Sequence, residues 1–192
     1  MIIIGITGTI GAGKGTIVEY LVREKGFAHF SAREFIMEEV RRRGMPGNRD
    51  STTPVANDLR AKFGPNYIAE ELYRRAQATG KDAVIESLRA PAEVEALRAK
   101  GNFTLFAVDA DPKTRYERIQ SRRSETDRIS FEKFLADERR EMENPEKHQQ
   151  NIAACIAMAD HRFENNGTVA ELERQVEVVL SGMTNDGGIP AR

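Results

Sequence analysis

The sequence predicts an α/β fold: a doubly wound, five-stranded parallel sheet with helices on both faces. Three observations predict it. Short apolar runs alternate with longer amphipathic ones along most of the chain, as in strands joined by helical crossovers. The first apolar run, residues 2–7, leads directly into a glycine-rich turn that opens an amphipathic stretch. Glycines and prolines fall at the joints: Gly26 and Gly101 close helical patterns, and Pro54, Pro65, Pro91 and Pro112 sit near helix starts.

Taken in order, residues 2–7 predict a buried strand and 14–25 a helix with Ile17, Val18, Leu21 and Val22 on one face. Residues 27–30 predict a second strand, and 32–43 a helix with Phe35, Ile36 and Val40 at helical spacing. Gly44, Pro46, Gly47 and Asn48 make 44–53 a loop. Helices are predicted over 54–63 and 65–78, a strand over 83–87, a helix over 91–100 and a strand over 103–109. Asp111 is placed to cap a helix over 112–123. Helices over 130–143 and 146–159, a strand over 162–164 and a helix over 169–180 complete the pattern. The three glycines and the proline after residue 180 predict a disordered tail, set at 183–192.

The 192 residues suit one domain, spanning 1–182. A hydrophobic content of 40%, a charged content of 31% and a formal net charge of -1 describe an ordinary soluble protein with no global pull toward nucleic acid or membrane. The single cysteine, Cys155, excludes an intramolecular disulfide and lies in an apolar helical stretch where a buried, inert thiol is expected. No run approaches the ~20 apolar residues of a membrane helix, so a cytoplasmic location is expected.

Gly8 through Lys14 has the spacing G-x-x-x-x-G-K, between a predicted strand and a predicted helix, the setting in which a Walker A motif works. Glycines let successive N–H groups curl inward around a phosphate, and the helix N-terminus adds positive potential. Gly8, Gly11, Ala12, Gly13, Lys14, Gly15 and Thr16 are therefore the candidate ATP contacts, with Lys14 also the candidate catalytic charge against the β and γ phosphates. The residue after Lys14 is Gly15, where a Ser or Thr hydroxyl would ligate Mg²⁺ directly. No protein group is expected to ligate Mg²⁺ directly.

This loop resembles that of adenylate kinase and related nucleoside monophosphate kinases, in which Gly-Lys-Gly-Thr is usual. Other segments resemble dephospho-CoA kinase and a related archaeal family: Leu59-Arg60-Ala61-Lys62-Phe63-Gly64, Asp109-Ala110-Asp111-Pro112, Asp137-Glu138-Arg139-Arg140-Glu141 and Ala159-Asp160 with Asn165-Asn166-Gly167-Thr168. The resemblance implies a P-loop kinase with ATP and Mg²⁺ as cofactors and a small nucleotide-like acceptor as partner. It implies an acceptor-binding helical insert at about residues 31–80 and a lid at about residues 121–140.

It also implies roles for particular residues. Glu86 would organise Mg²⁺ through water, and Arg89, three residues on, would grip an acceptor phosphate with its planar fork. Arg33 and Arg60 are further acceptor contacts; Asn57 shares the face of Arg60, and Phe63 and Tyr67 could stack on a base or simply pack. The family more often carries Asp near Arg33. Ser31 and Glu34 equally suit a helix cap. Arg115, Arg118 and Arg122 recur on one helical face, and Arg118, Arg122 and Arg139 are the candidate catalytic lid arginines. Asn166 and Gly167 would pass the adenine, and Thr168 suits the N-cap of the last helix.

The leading expectation is transfer of the γ-phosphoryl of ATP to a nucleoside or deoxynucleoside monophosphate. The alternatives are dephospho-CoA kinase, against which Ala32-Arg33 counts because a base is wanted there, and a P-loop switch protein with no metabolite acceptor.

Overall fold

The computed structural model describes residues 1–121, 129–142 and 150–185. Five strands run β1 (Ile3–Gly8), β2 (Ala28–Ser31), β3 (Ala83–Glu86), β4 (Phe103–Asp109) and β5 (His161–Glu164). All pair in parallel, in the spatial order β2-β3-β1-β4-β5. The register aligns their carboxyl ends, with Ile6 opposite Glu86 and Gly8 opposite Val108. Strand β1 thus ends between β3 and β4, where the chain order reverses and an open α/β sheet offers its ligand crevice.

Alternation along the strands builds a core on each face. Ile3, Ala83, Ile85 and Leu105 point to one side. There they pack on α2 (Ala32–Arg42), α3 (Arg49–Phe63), α4 (Tyr67–Thr79), α5 (Pro91–Arg98) and α8 (Ile152–Ala157). Ile4, Ile6, Val84, Phe106, Val108 and Phe163 point to the other, against α1 (Lys14–Lys25) and α9 (Val169–Asn185). Beyond β4, α6 (Pro112–Ser121) and α7 (Phe131–Met142) meet through Tyr116, Phe131 and Phe134. Cys155 is buried, and that burial pushes its thiol up to about 12, which makes it unreactive.

Four local expectations change. Val22 is exposed rather than packed with Ile17, Val18 and Leu21, because the apolar stripe of α1 is only that wide. The stretch expected to be loop up to residue 53 is helical from Arg49, since the Asn48 side chain accepts from the Ser51 amide and starts α3 five residues before Pro54. Only Ile152–Ala157 of the helix expected over 146–159 is seen as such; residues 143–149 lie outside the described ones. Helix α9 runs through Asn185 rather than fraying at 181, because Met183 continues the Leu172, Val176, Leu180 stripe onto the core. The rest of the expected tail, 186–192, lies outside the described residues.

Two expected caps are present: the Ser31 hydroxyl accepts from the Glu34 amide, and Thr168 and Glu171 close a reciprocal capping box. Among the described residues no helix is long and apolar enough to cross a membrane.

Phe106 carries the β4–β5 side of the core. It is fully buried, with its ring 5.1 Å from that of Phe163 and 5.5 Å from that of His161. Phe106→Ala is expected to lower unfolding stability by about 3–5 kcal/mol, read from urea denaturation; a loss below about 1 kcal/mol would show that the site collapses around the gap.

Candidate active site

The phosphate cradle is made by β1 ending against β4. At Gly8 the backbone has φ 142°, and a Cβ there would lie 2.1 Å from the Val108 carbonyl oxygen. Gly13, with φ 110°, is the N-cap of α1, and a Cβ there would lie 2.2 Å from Nδ2 of Asn165. That Asn165 is buried at the end of β5 and donates to the Ala12 carbonyl at 2.8 Å, so β5 props the loop from below. Gly11 and Ala12 are buried within the turn. The Lys14 ammonium folds back and donates to the carbonyls of Gly8 and Thr9, each at 2.8 Å. Gly15 is exposed with open space around it, and Thr16 is half-buried on the first turn of α1.

On the β4 side, Asp109 accepts from the Thr9 hydroxyl at 2.6 Å and from the Ala110 amide at 2.9 Å. On the β3 side, Ser87 has φ 70°, a left-handed conformation that costs a non-glycine residue about 1–3 kcal/mol. The strain is held by β1: the amides of Ser87 and Leu88 both donate to the Ile6 carbonyl, at 3.0 and 3.1 Å, and the Thr7 hydroxyl donates to the Leu88 carbonyl. This turn carries Glu86 and Arg89 on either side of it.

Glu86 lies 3.1 Å from Nε2 of His29, on the neighbouring strand. That hydrogen bond is the main reason its carboxyl sits below the usual range, with the electrostatic pull of His29, Lys14 and Arg33 adding to it. Glu86 therefore feels both the cradle lysine and the exposed Arg33. His29 is the partner that sequence spacing misses, because only strand pairing brings β2 beside β3. Arg89 is half-buried; its guanidinium donates to Gln150 at 3.1 Å and its carbonyl accepts from the Asn151 amide.

Arg60 does not present itself to the surface with Asn57. Its side chain is 5% exposed and reaches across to α5, where Nη2 donates to Glu93 at 2.9 Å. Phe63 and Tyr67 stack on each other, rings 4.6 Å apart, with Phe63 60% exposed.

Of the lid arginines, Arg115 is structural: buried over the Phe134 ring, it reaches Glu138 at 2.5 Å and the Ala110 carbonyl at 2.7 Å. Arg118 points to Asn165 at 3.4 Å, and its Nη1 is buried with no partner among the described residues. Arg139 is exposed on α7, and Arg122 lies outside the described residues. Asn166 accepts from the Asp111 amide at 2.8 Å and, with Gly167, lines a shallow groove with Glu164, Arg174 and Val178. Among the described residues no His, Cys, Asp and Glu cluster could hold a metal by itself.

The sequence profile of the AAA domain family matches residues 4–146. A UPF0200 protein of Thermococcus kodakarensis is 30% identical over 186 residues, covering 94% of this chain and 96% of that protein. The chain belongs to the AAA domain family and to the UPF0200 proteins. A second UPF0200 protein, from Methanothermobacter thermautotrophicus, is 29% identical over 189 residues, covering 97% and 93%. Among solved structures, the shikimate kinase from Acinetobacter baumannii in complex with shikimate matches with a TM-score of 0.59 at 16% identity, covering 95% of this chain and 94% of that one. At that identity the likeness concerns the fold alone: this UPF0200 protein shares the α/β fold of that kinase.

Two outcomes follow for this UPF0200 protein. Gly13→Ala forces a strained φ and drives a methyl into Asn165, so ATP affinity measured by calorimetry is expected to fall about 10-fold or more, with a stability loss of about 1–3 kcal/mol; unchanged affinity would contradict the cradle geometry. Glu86, with its folded pKa depressed, stabilises the fold above its unfolded value of about 4.3, and the contribution disappears as pH falls through the lower folded value. Glu86→Gln is therefore expected to be less stable than the parent at pH 6, with the gap narrowing as pH falls below about 4; urea midpoints whose gap does not change with pH would rule this out.

Proposed function

We propose that this chain is a cytoplasmic phosphotransferase that moves the γ-phosphoryl of ATP to a nucleoside or deoxynucleoside monophosphate. The observation that carries the reading is the turn after β3. Its strained Ser87 sits between Glu86 and Arg89, and Glu86 answers to both Lys14 and Arg33. A phosphate cradle and Arg33 acting on one carboxylate, with Arg89 three residues further along the same turn, suit transfer between two phosphates.

In this reading the glycine loop and Thr16 hold the ATP phosphates, and Asn166 and Gly167 border the adenine. Lys14 leaves the Gly8 and Thr9 carbonyls for the phosphates, an exchange of neutral acceptors for charged ones that favours the ligand. Mg²⁺ would be held by phosphate oxygens and waters, with Glu86 orienting the waters, because Gly15 offers no hydroxyl. The ion would neutralise charge on the transferring group. The helices between residues 31 and 80 form the acceptor-binding insert within the 1–182 domain. The stretch at about 121–140 forms the lid, from which Arg122 and Arg139, with Arg118 on α6 beside it, screen the equatorial oxygens and exclude water.

One observation favours a second reading. The His29–Glu86 pair resembles a base oriented by a partner, which a hydroxyl acceptor such as the ribose of dephospho-CoA would need. The same pairing lowers the carboxyl's proton affinity, so Glu86 is a weak base, and a phosphate acceptor needs none.

The test is an ADP-release screen with ATP and Mg²⁺ over ribo- and deoxyribonucleoside monophosphates, dephospho-CoA and shikimate. A monophosphate is expected to be the best acceptor. Arg89→Lys, which loses the planar fork, should raise that acceptor's KM about 10-fold with little change for ATP. ADP release with a hydroxyl acceptor alone would favour the second reading, and release with none would leave a nucleotide-binding protein without a metabolite acceptor.

A further inference from the structure

Glu93 stands outside every role assigned above. Its carboxylate is 1% exposed and both oxygens are committed. Oε1 accepts from Nη2 of Arg60, on α3, at 2.9 Å. Oε2 accepts from the amides of Arg89 and Ala90, at 3.0 and 3.2 Å. One buried anion thus ties a helix of the acceptor-side insert to the backbone that carries Arg89.

As a stabilising ion pair the arrangement is poor. Arg60 spends one nitrogen on Glu93, and its Nε and Nη1 are buried with no partner among the described residues. Removing two charges from water is offset only when the geometry is good and the remaining donors are satisfied. An ordinary cap for α5 would not require a buried arginine behind it, because a glutamate three residues into an exposed helix reaches its N-cap amide unaided.

We propose that Glu93 is a positioning residue for the acceptor: through the Arg60 pair it fixes the Arg89 segment at a set distance from α3, and so fixes where an acceptor's anionic group is gripped. The inference rests on the phosphotransfer reading above. Glu93 touches no reacting atom. It holds Arg89 by its main chain, while Gln150 holds the guanidinium.

Glu93→Gln alone leaves a buried arginine charge unpaired and could fail to fold. The informative variant is Arg60→Met with Glu93→Gln, which removes both charges and leaves the Arg89 and Ala90 amides only a neutral carbonyl, a weaker acceptor than the carboxylate and no longer fixed to α3. With the best acceptor of the screen, the double variant is expected to raise the acceptor KM about 10-fold or more while the ATP KM stays within about twofold. Arg60→Lys supplies one donor to Glu93, as Arg60 does, and is expected to restore the acceptor KM to within about threefold of the parent.

Equal rises in both KM values, or an unchanged acceptor KM, would overturn the proposal. So would an Arg60→Lys variant as impaired as the double one, which would make Arg60 itself a ligand. Amide hydrogen exchange followed by NMR is the readout that does not need turnover. Faster exchange at Arg89 and Ala90 in the double variant, with the Gly8–Thr16 loop unmoved, supports the tether even if no acceptor is turned over, a result that would sink only the functional reading. Unchanged exchange at those two amides would overturn the tether itself.

Discussion

Strand β1 is paired on both edges and buried on both faces, so its carboxyl end cannot shift without breaking the sheet. That constraint sets the rest. The Gly8 backbone passes so close to Val108 that no side chain fits, which aims the phosphate loop over the β4 edge. The Ile6 carbonyl takes two amides from the turn after β3, which forces Ser87 into a left-handed conformation and turns Glu86 toward the cradle. The phosphate loop and the turn that carries Glu86 and Arg89 are therefore referenced to one rigid strand end, which the proposed transfer would use. Phosphoryl transfer demands this kind of preorganisation, because positioning and electrostatics supply most of its catalysis.

Around that strand end, buried polar side chains act as struts rather than as ligands. Asn165 props Ala12 from β5. Arg115, stacked on Phe134 and paired with Glu138, locks α6 and α7 together while its Nε holds the Ala110 carbonyl just past β4. Each strut is hydrogen-bonded, as burial requires. Among the described residues, the buried nitrogens without partners belong to Arg60, on α3, and Arg118, which faces Asn165 under the cradle. A buried donor without a partner costs about 1–3 kcal/mol, a cost the core would shed if packing alone governed these positions.

The strands, their order along the chain and the phosphate loop were legible in the sequence because each depends on local pattern: apolar runs, the glycine spacing and helix stops. Helix α1 matches the expected span from end to end, and β4 does too. What was not legible depends on register and packing. His29 gains Glu86 as a neighbour only when β2 pairs with β3, and Arg60, expected to share an open face with Asn57, is buried against Glu93 of α5. Arg115 and Arg118 share a helical face by spacing, yet one is buried in a structural stack and the other faces Asn165. Periodicity reports the face of a helix, not what that face meets. Pro54 misled in the opposite sense: it marks a helix start in most contexts, but the Asn48 cap begins α3 upstream and the helix carries the proline in its second turn.

The absence of a side chain at Gly15 has a further electrostatic meaning. A cation over the cradle would lack a hydroxyl from the loop and would depend on oxygen donors across the crevice, where Glu86 and Asp109 end the strands on either side of β1. Asp109 already accepts from Thr9 and Ala110 and lies 3.5 Å from Arg115, so much of its charge is engaged. Glu86 is engaged by His29 from one direction, and it remains ionised under the pull of Lys14 and Arg33. Of the two flanking carboxylates, Glu86 is thus the one that, in the proposed reaction, would exchange its partner for the waters of a bound cation. That places the negative charge a cation needs on the same turn that carries Arg89, with Glu93 beneath it holding that turn to α3.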